Sequence, residues 1–332
     1  MVEINGRKAV FVYRGEAEEV FLKGNFNNFQ PEKMLRKSEN VWILEKEFPL
    51  NARFDYKFVV DGEEILDAEN PFRSEGGFGF NSELRMPHFH YPIATAYHKD
   101  IRHGRIAKYS ISDKIYFKYK RDIYIYIPHF TVKEKTAVIF QDGLEYILFG
   151  AAKNTLDYLI HTKRIPPVYG IFVDVRKNRR LKEYSDFSRY DELILERVIP
   201  FCEKMLGFKF SKRFAAGVSL GGFVSISILL KNPSAFQGAI SQSGVLLFNE
   251  EGDFSPLSGK KIYLDAGRYE TRLDMSMNIV YTNRYFAKVF SQFGADVIFK
   301  LWNDGHSWGN WKAHLPFALE KMLGGKNDSP DN

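Results

Sequence analysis

Gly217-Val218-Ser219-Leu220-Gly221 limits the fold of this chain more than any other stretch. A run of small residues, Phe214-Ala215-Ala216, leads into it. A helix-forming segment, Gly222-Phe223-Val224-Ser225-Ile226, leads out. That order predicts a strand, a sharp turn and a helix, the setting in which G-x-S-x-G lifts a serine hydroxyl from a sheet edge. So tight a turn strains the serine backbone and leaves no room for side chains two residues to either side. Glycine at 217 and 221 meets that demand. The helix then points its N-terminus at the place where an oxyanion would form. The plain alternative is a glycine-rich turn before a helix, without chemistry.

A serine hydroxyl is a weak nucleophile at neutral pH, so it needs a base, and the base needs an orienting acid. On a sheet of this kind the order along the chain is Ser, acid, His. Two histidines follow Ser219. His306 lies in Asn303-Asp304-Gly305-His306-Ser307-Trp308, a loop after an apolar strand, and is the expected base. His314 falls inside a helical pattern and is expected to be a packing or surface residue. The acid belongs just past the preceding strand, where Asp265, Glu270 and Asp274 all stand, and spacing alone barely separates them. Glu270 and Asp274 could equally serve as charges at a helix start. One oxyanion donor is the backbone N–H of the residue after the serine, Leu220.

The rest of the chain supplies the frame. Lys8–Tyr13, Glu19–Lys23, Val41–Glu45 and Phe54–Val60 read as short strands, with turn signals between them and an Asp61-Gly62 hairpin mark, which predicts a small β-sandwich. Residues 88–104 read as a linker. Beyond it, Lys114–Tyr119 and Arg121–Pro128 suggest an antiparallel pair. Strands at 136–140, 169–173, 213–216, 238–240, 261–264 and 297–301 then alternate with helices at 155–162, 191–206, 222–231, 277–293 and 311–323. Alternation of this kind predicts a mostly parallel sheet covered on both faces, the α/β-hydrolase architecture. The expected divisions are 1–87, an immunoglobulin-like β-sandwich; 88–104, a linker; 105–325, the α/β-hydrolase domain; and 326–332, a flexible tail.

Composition sets limits. The single cysteine, Cys202, excludes an intrachain disulfide and reads as a buried thiol. A net charge of +6 is modest, and Lys177-Asn178-Arg179-Arg180 reads as a solvated loop, so no nucleic-acid partner is expected. No run approaches the ~20 apolar residues of a membrane span, and no signal peptide is seen, so the expected location is cytoplasmic. His88 and His90 could share a strand face, but no third ligand joins them, and no metal or other cofactor is expected.

Two resemblances sharpen this reading. Phe21 to Phe29, Tyr56 to Gly62 and Gly79-Phe80-Asn81-Ser82 resemble the early-set immunoglobulin-like domains associated with glycogen-binding modules. Where those modules stack two tryptophans on sugar, this chain has Phe29 and, near the second position, Glu64. A phenylalanine can stack on a sugar and a glutamate cannot, so packing on the catalytic domain stands beside carbohydrate binding as the expected role. Residues from about 105 to 324 resemble the putative esterase family, which includes enterochelin esterase, feruloyl esterases, S-formylglutathione hydrolase and the mycolyltransferases. The blocks that carry it are Phe140–Leu144, Arg180–Tyr184, Gly217–Gly222, Ser241–Gly244 and Gly305–Trp311.

What that resemblance implies is specific. The acid often stands fourth in Gly-x-x-Asp/Glu, here Gly267-Arg268-Tyr269-Glu270, although some members work with Ser and His alone. The second oxyanion N–H is implied to be that of Leu144. Arg180 and Glu183 would form a local ion pair or frame the cleft. The implied activity is hydrolysis of a small acyl or aryl ester, or a siderophore-type ester, through an acyl-enzyme. Carbohydrate esters, acyl transfer to a sugar hydroxyl, and a glycogen- or protein-binding module with a vestigial hydrolase domain are the alternatives.

Overall fold

Residues whose side chains alternate between apolar and polar form the first strands, and these are antiparallel. Residues apolar on both faces form the later ones, and these are mostly parallel. The computed structural model describes residues 2–77, 79–130, 132–271 and 277–324. The chain forms two compact units. The first gathers Met1–Tyr91, Ala266–Tyr281 and Leu301–Trp311. The second holds Pro92–Asp265, Thr282–Lys300 and the segment beginning at Lys312.

The first unit is built on a β-sandwich. One sheet has the order β1 (Val2–Asn5), β2 (Lys8–Arg14), β6 (Val41–Glu47), β5 (Leu35–Ser38). The other runs β4 (Glu32–Lys33), β3 (Val20–Gly24), β7 (Arg53–Val60), β10 (Gly79–Arg85), β9 (Arg73–Gly76), with β8 (Glu63–Ile65) paired to β7. Asp61 and Gly62, at φ +47° and +90°, make the hairpin between β7 and β8 that their sequence predicts. Phe11, Leu22, Trp42, Phe54 and Tyr56 fill the core. Tyr269, from a segment far along the chain, sets its ring edge-on to Phe54 at 4.6 Å.

The eight-stranded sheet has the order β11 (Arg105–Asp113), β12 (Tyr119–Ile127), β14 (Tyr169–Val173), β13 (Thr136–Phe140), β15 (Lys212–Val218), β16 (Gly238–Gln242), β17 (Lys261–Gly267), β18 (Asp296–Trp302). From β14 to β17 every neighbouring pair is parallel, and β13, β14 and β16 are buried along their whole length. The helices are α1 (Gly143–Leu148), α2 (Ala152–His161), α3 (Arg180–Ser185), α4 (Phe187–Leu193), α5 (Ile199–Leu206), α6 (Leu220–Lys231), α7 (Ile279–Gln292) and α8 (Trp308–Leu323). This is the α/β-hydrolase plan behind a β-sandwich. Cys202 is buried, and that burial pushes its thiol up to about 12.

Two details differ from the sequence expectation. Lys114–Tyr119 does not form the strand that pairs with β12; Arg105–Asp113 does, in unbroken antiparallel register. The reason is Asp113, whose carboxylate accepts the N–H groups of Tyr116 and Phe117, each at 2.8 Å, and so turns the chain. The helix expected from 191 begins at Phe187 and carries a π turn over Ile194–Val198. α1 and α3 are six residues each, too short for an apolar period to announce them.

Candidate functional site

Ser219 is the single residue between β15 and α6, with φ +56° and ψ −125°. A non-glycine residue held there stores about 1–3 kcal/mol of strain. Close packing keeps it in place. A Cβ on Gly217 would lie 2.2 Å from the Gly221 carbonyl oxygen, and one on Gly221 would lie 2.8 Å from Asp142 Oδ2. The Ser219 N–H donates to the Gln242 carbonyl at 2.9 Å, and the Ser219 carbonyl accepts from Gly222 and Val245, both at 3.0 Å. The Ser241-to-Gly244 block therefore buttresses the turn, and a Cβ on Gly222 would strike Ser241 Oγ at 2.5 Å.

A second loop, after β13, is clasped to the same turn. Asp142 takes a left-handed conformation, φ +55°, just before α1. Its carboxylate accepts Arg180 Nε on Oδ1 and Nη2 on Oδ2, both at 2.8 Å, and Tyr184 donates its hydroxyl to Oδ1 at 3.1 Å. Arg180 Nη2 also lies 3.4 Å from the Val218 carbonyl, one residue before the serine. A two-pronged guanidinium–carboxylate pair fixes direction as well as distance. Leu144 and Leu220 lie in the first turns of α1 and α6, where backbone N–H groups have no intrahelical acceptor. Arg180 and Glu183 do not pair with each other. Glu183 takes Arg121 Nη2 at 2.5 Å, and both of those side chains are buried.

Ser219 belongs to the second unit; the first unit holds a separate pair. His306 Nδ1 lies 3.1 Å from Glu270 Oε2, with the Glu270 carboxylate buried and the imidazole 21% exposed. Glu270 Oε1 accepts the Gly267 N–H at 2.9 Å and Asn310 Nδ2 at 3.1 Å. The spacing Gly267-x-x-Glu270 has a steric cause, since a Cβ on Gly267 would stand 2.7 Å from Glu270 Oε1 and 2.3 Å from the Asp304 carbonyl oxygen. Trp311 packs edge-on to the His306 ring at 5.0 Å. The other acid candidates are placed differently. Asp265 spends its carboxylate in the second unit, on the Ser243 N–H at 2.9 Å and the Tyr263 hydroxyl at 3.0 Å. Asp274 lies outside the described residues. His314 sits within α8.

Beside His306, Asp304 is buried. Its Oδ1 accepts the Gly305 N–H at 2.8 Å, and its Oδ2 has no hydrogen-bond partner among the described residues. Burial drives this carboxyl well above the usual range, against the pull of Arg53. A folded-state pKa above the unfolded one favours folding fully at acid pH, and that advantage fades as pH rises through the folded value. Asp304→Asn removes the titration. We expect its melting temperature to match wild type near pH 3, below the ordinary aspartate value of about 3.9, and to exceed it by pH 7.5. A fall at pH 7.5 would mean that Asp304 is ionised and paired.

Sequence reasoning gives no role to Asn310, Asp142 or Arg53 in these sites. Asp142 and Asn310 do fall within blocks that carry the resemblance, Phe140–Leu144 and Gly305–Trp311, whereas Arg53 leaves no signal. On the sandwich, Glu64 is held by Lys23 and, at 3.3 Å, by Lys57; its hydrogen bond from Lys23 foremost keeps its carboxyl below the usual value. Phe29 is half-buried. Among the described residues, no cluster of three or more His, Cys, Asp or Glu side chains could hold a metal ion, and no helix is long and apolar enough to cross a membrane.

The family model described as "Putative esterase" matches residues 116–322, and one described as the glycogen recognition site of AMP-activated protein kinase matches residues 7–82. Among curated proteins no match is found. Among solved structures, the enterobactin esterase of Shigella flexneri, crystallised in the presence of enterobactin, superposes with a TM-score of 0.78 at 19% identity, covering 97% of this chain and 95% of its own. The ferric enterobactin esterase of Salmonella typhimurium gives 0.79 at 18% identity, covering 95% and 93%. A ferulic acid esterase gives 0.55 at 15% identity, covering 67% and 97%. At these identities the likeness to solved structures is one of fold.

Proposed function

This chain belongs to the putative esterase family, and from that premise we propose that Ser219, His306 and Glu270 form its catalytic triad. The protein is a carboxylic ester hydrolase. His306 Nε2 takes the proton from Ser219 Oγ as that oxygen attacks the ester carbonyl. The tetrahedral oxyanion is met by the N–H groups of Leu144 and Leu220. The C–O bond to the alcohol then breaks, and His306 returns the proton to the departing oxygen. A water deprotonated by His306 attacks the acyl-enzyme and frees the acid. In this reading Glu270 accepts from Nδ1–H, so that Nε2 is the nitrogen that takes the serine proton.

The observation that carries this reading is the strained Ser219 turn, a cost in stability borne by the one residue that the proposed chemistry needs. The Glu270–His306 pair supports it from the other unit. The proposed substrate is a small acyl or aryl ester or a siderophore-type ester, handled in the cytoplasm. Support comes from neighbours whose likeness runs through the sandwich as well as the hydrolase region, whereas the ferulic acid esterase covers only 67% of the chain. The lysine-bound Glu64 counts against sugar stacking at that position of the sandwich.

A fluorophosphonate probe tests the assignment. We expect one covalent adduct, on the peptide containing Ser219, absent in Ser219→Ala and formed at least about a hundredfold more slowly in His306→Ala. Labelling on another residue, with Ser219 untouched, would overturn it. Enterobactin offered beside methyl ferulate then separates the two substrate classes.

A further inference from the structure

Arg53, the first residue of β7, is fully buried, and its guanidinium leaves the sandwich core toward the loop that carries His306. Nε donates to Glu83 Oε1 at 2.5 Å, Nη2 donates to Asp55, and Nη1 donates to Ser307 Oγ at 2.8 Å and stands 3.6 Å from Asp304 Oδ1. Its backbone N–H donates to the Asn303 carbonyl at 3.2 Å. The loop's glycines record the same contact. A Cβ on Gly309 would fall 2.0 Å from the Arg53 guanidinium carbon, and one on Gly305 would fall 2.7 Å from Asn25 Cβ. Asn25 Nδ2 also reaches Ser307 Oγ at 3.5 Å. Residues 305 and 307, the neighbours of His306, are thus both set by side chains of the sandwich.

We propose that Arg53 is a positioning residue for the reaction: through Ser307 and Asn303 it fixes the loop backbone, and so the aim of the His306 imidazole. This rests on His306 acting as the base. It gives the sandwich a part in catalysis that needs no sugar. The geometry is demanding because one guanidinium must satisfy three directions at once: Glu83, Asp55 and the loop. A lysine keeps the charge but, as a point donor, cannot hold all three.

Arg53→Lys is the informative variant, since Arg53→Ala strands two buried carboxylates and could simply fail to fold. On p-nitrophenyl acetate we expect Arg53→Lys to lower kcat about 10- to 100-fold with KM within about threefold of wild type, because aim is lost and binding is not. Ser307→Ala should lower kcat several-fold, and the double variant should be no worse than Arg53→Lys alone, since both cut one link. Leu22→Val, which weakens the same core without touching the loop, should keep kcat. Wild-type kcat in Arg53→Lys, an equal loss in Leu22→Val, or fully additive losses in the double variant would each overturn the proposal. His306→Ala separates the two readings. If it is inactive while Arg53→Lys is unimpaired, positioning alone fails; if it is fully active, the triad fails and the positioning role falls with it.

Discussion

Replacing Ser219 with alanine is expected to lower kcat/KM on p-nitrophenyl acetate and butyrate by about 10³-fold or more. The substitution removes the only atom that can carry the acyl group in the proposed mechanism, yet it leaves the turn, both helix N-termini and the Glu270–His306 pair intact. The residual rate would come from oxyanion stabilisation and binding alone. A companion substitution separates chemistry from structure. At φ +56° and ψ −125° a serine is strained and a glycine is not, so Ser219→Gly should be equally inactive but more stable. Relief of strain, less the extra chain entropy of glycine, leaves a gain of about 1 kcal/mol, or about 2–4 °C in melting temperature. Activity and stability moving in opposite directions at one position is the signature of a backbone held for function. Equal turnover by wild type and Ser219→Ala would remove the support for a serine mechanism altogether.

How much of this is written in the sequence depends on how local the cause is. The elbow is legible because its cause lies within five residues: Gly217 and Gly221 are glycines for want of space, and any strand–turn–helix reading demands that. The parallel core is legible because strands buried on both faces read as unbroken apolar runs, as in Thr136–Phe140 and Tyr169–Val173. Lys114–Tyr119 misleads for the opposite reason. Its aromatic residues suit a strand, but one carboxylate, Asp113, captures the N–H groups that a strand would have paired.

Ion pairs between distant residues leave no pattern at all. Arg180 and Glu183 sit three apart and suggest a helical pair. Instead they reach Asp142 and Arg121, 38 and 62 residues away: Arg180 finds a carboxylate that takes both its prongs, and the buried Glu183 finds the equally buried Arg121. The acid candidates show the same limit. Spacing does not tell Asp265 from Glu270, whereas their partners differ: Asp265 accepts from Ser243 and Tyr263, and Glu270 faces His306.

Glutamine at position 270 is the harsher test of the proposed triad, and it should cost more than alanine. Glu270 Oε1 accepts two N–H donors, from Gly267 and Asn310, while Oε2 faces His306 Nδ1. In Glu270→Gln those two donors select the orientation of the new amide, because only its oxygen can satisfy them. The amide NH2 must then point at Nδ1. Nδ1 becomes the acceptor, the ring proton moves to Nε2, and the nitrogen that should receive the serine proton is already occupied. A wrong tautomer of this kind costs about 10⁴-fold in kcat in a serine triad whose acid is changed to its amide. Alanine imposes no tautomer and admits water beside Nδ1, so Glu270→Ala should lose only about 10²- to 10³-fold on p-nitrophenyl acetate. The two rates measured side by side, with phosphonate labelling of Ser219 following the same order, decide the matter. If glutamine proves the milder change, Glu270 does not orient the base through Nδ1, and a serine–histidine mechanism without an acid becomes the better account.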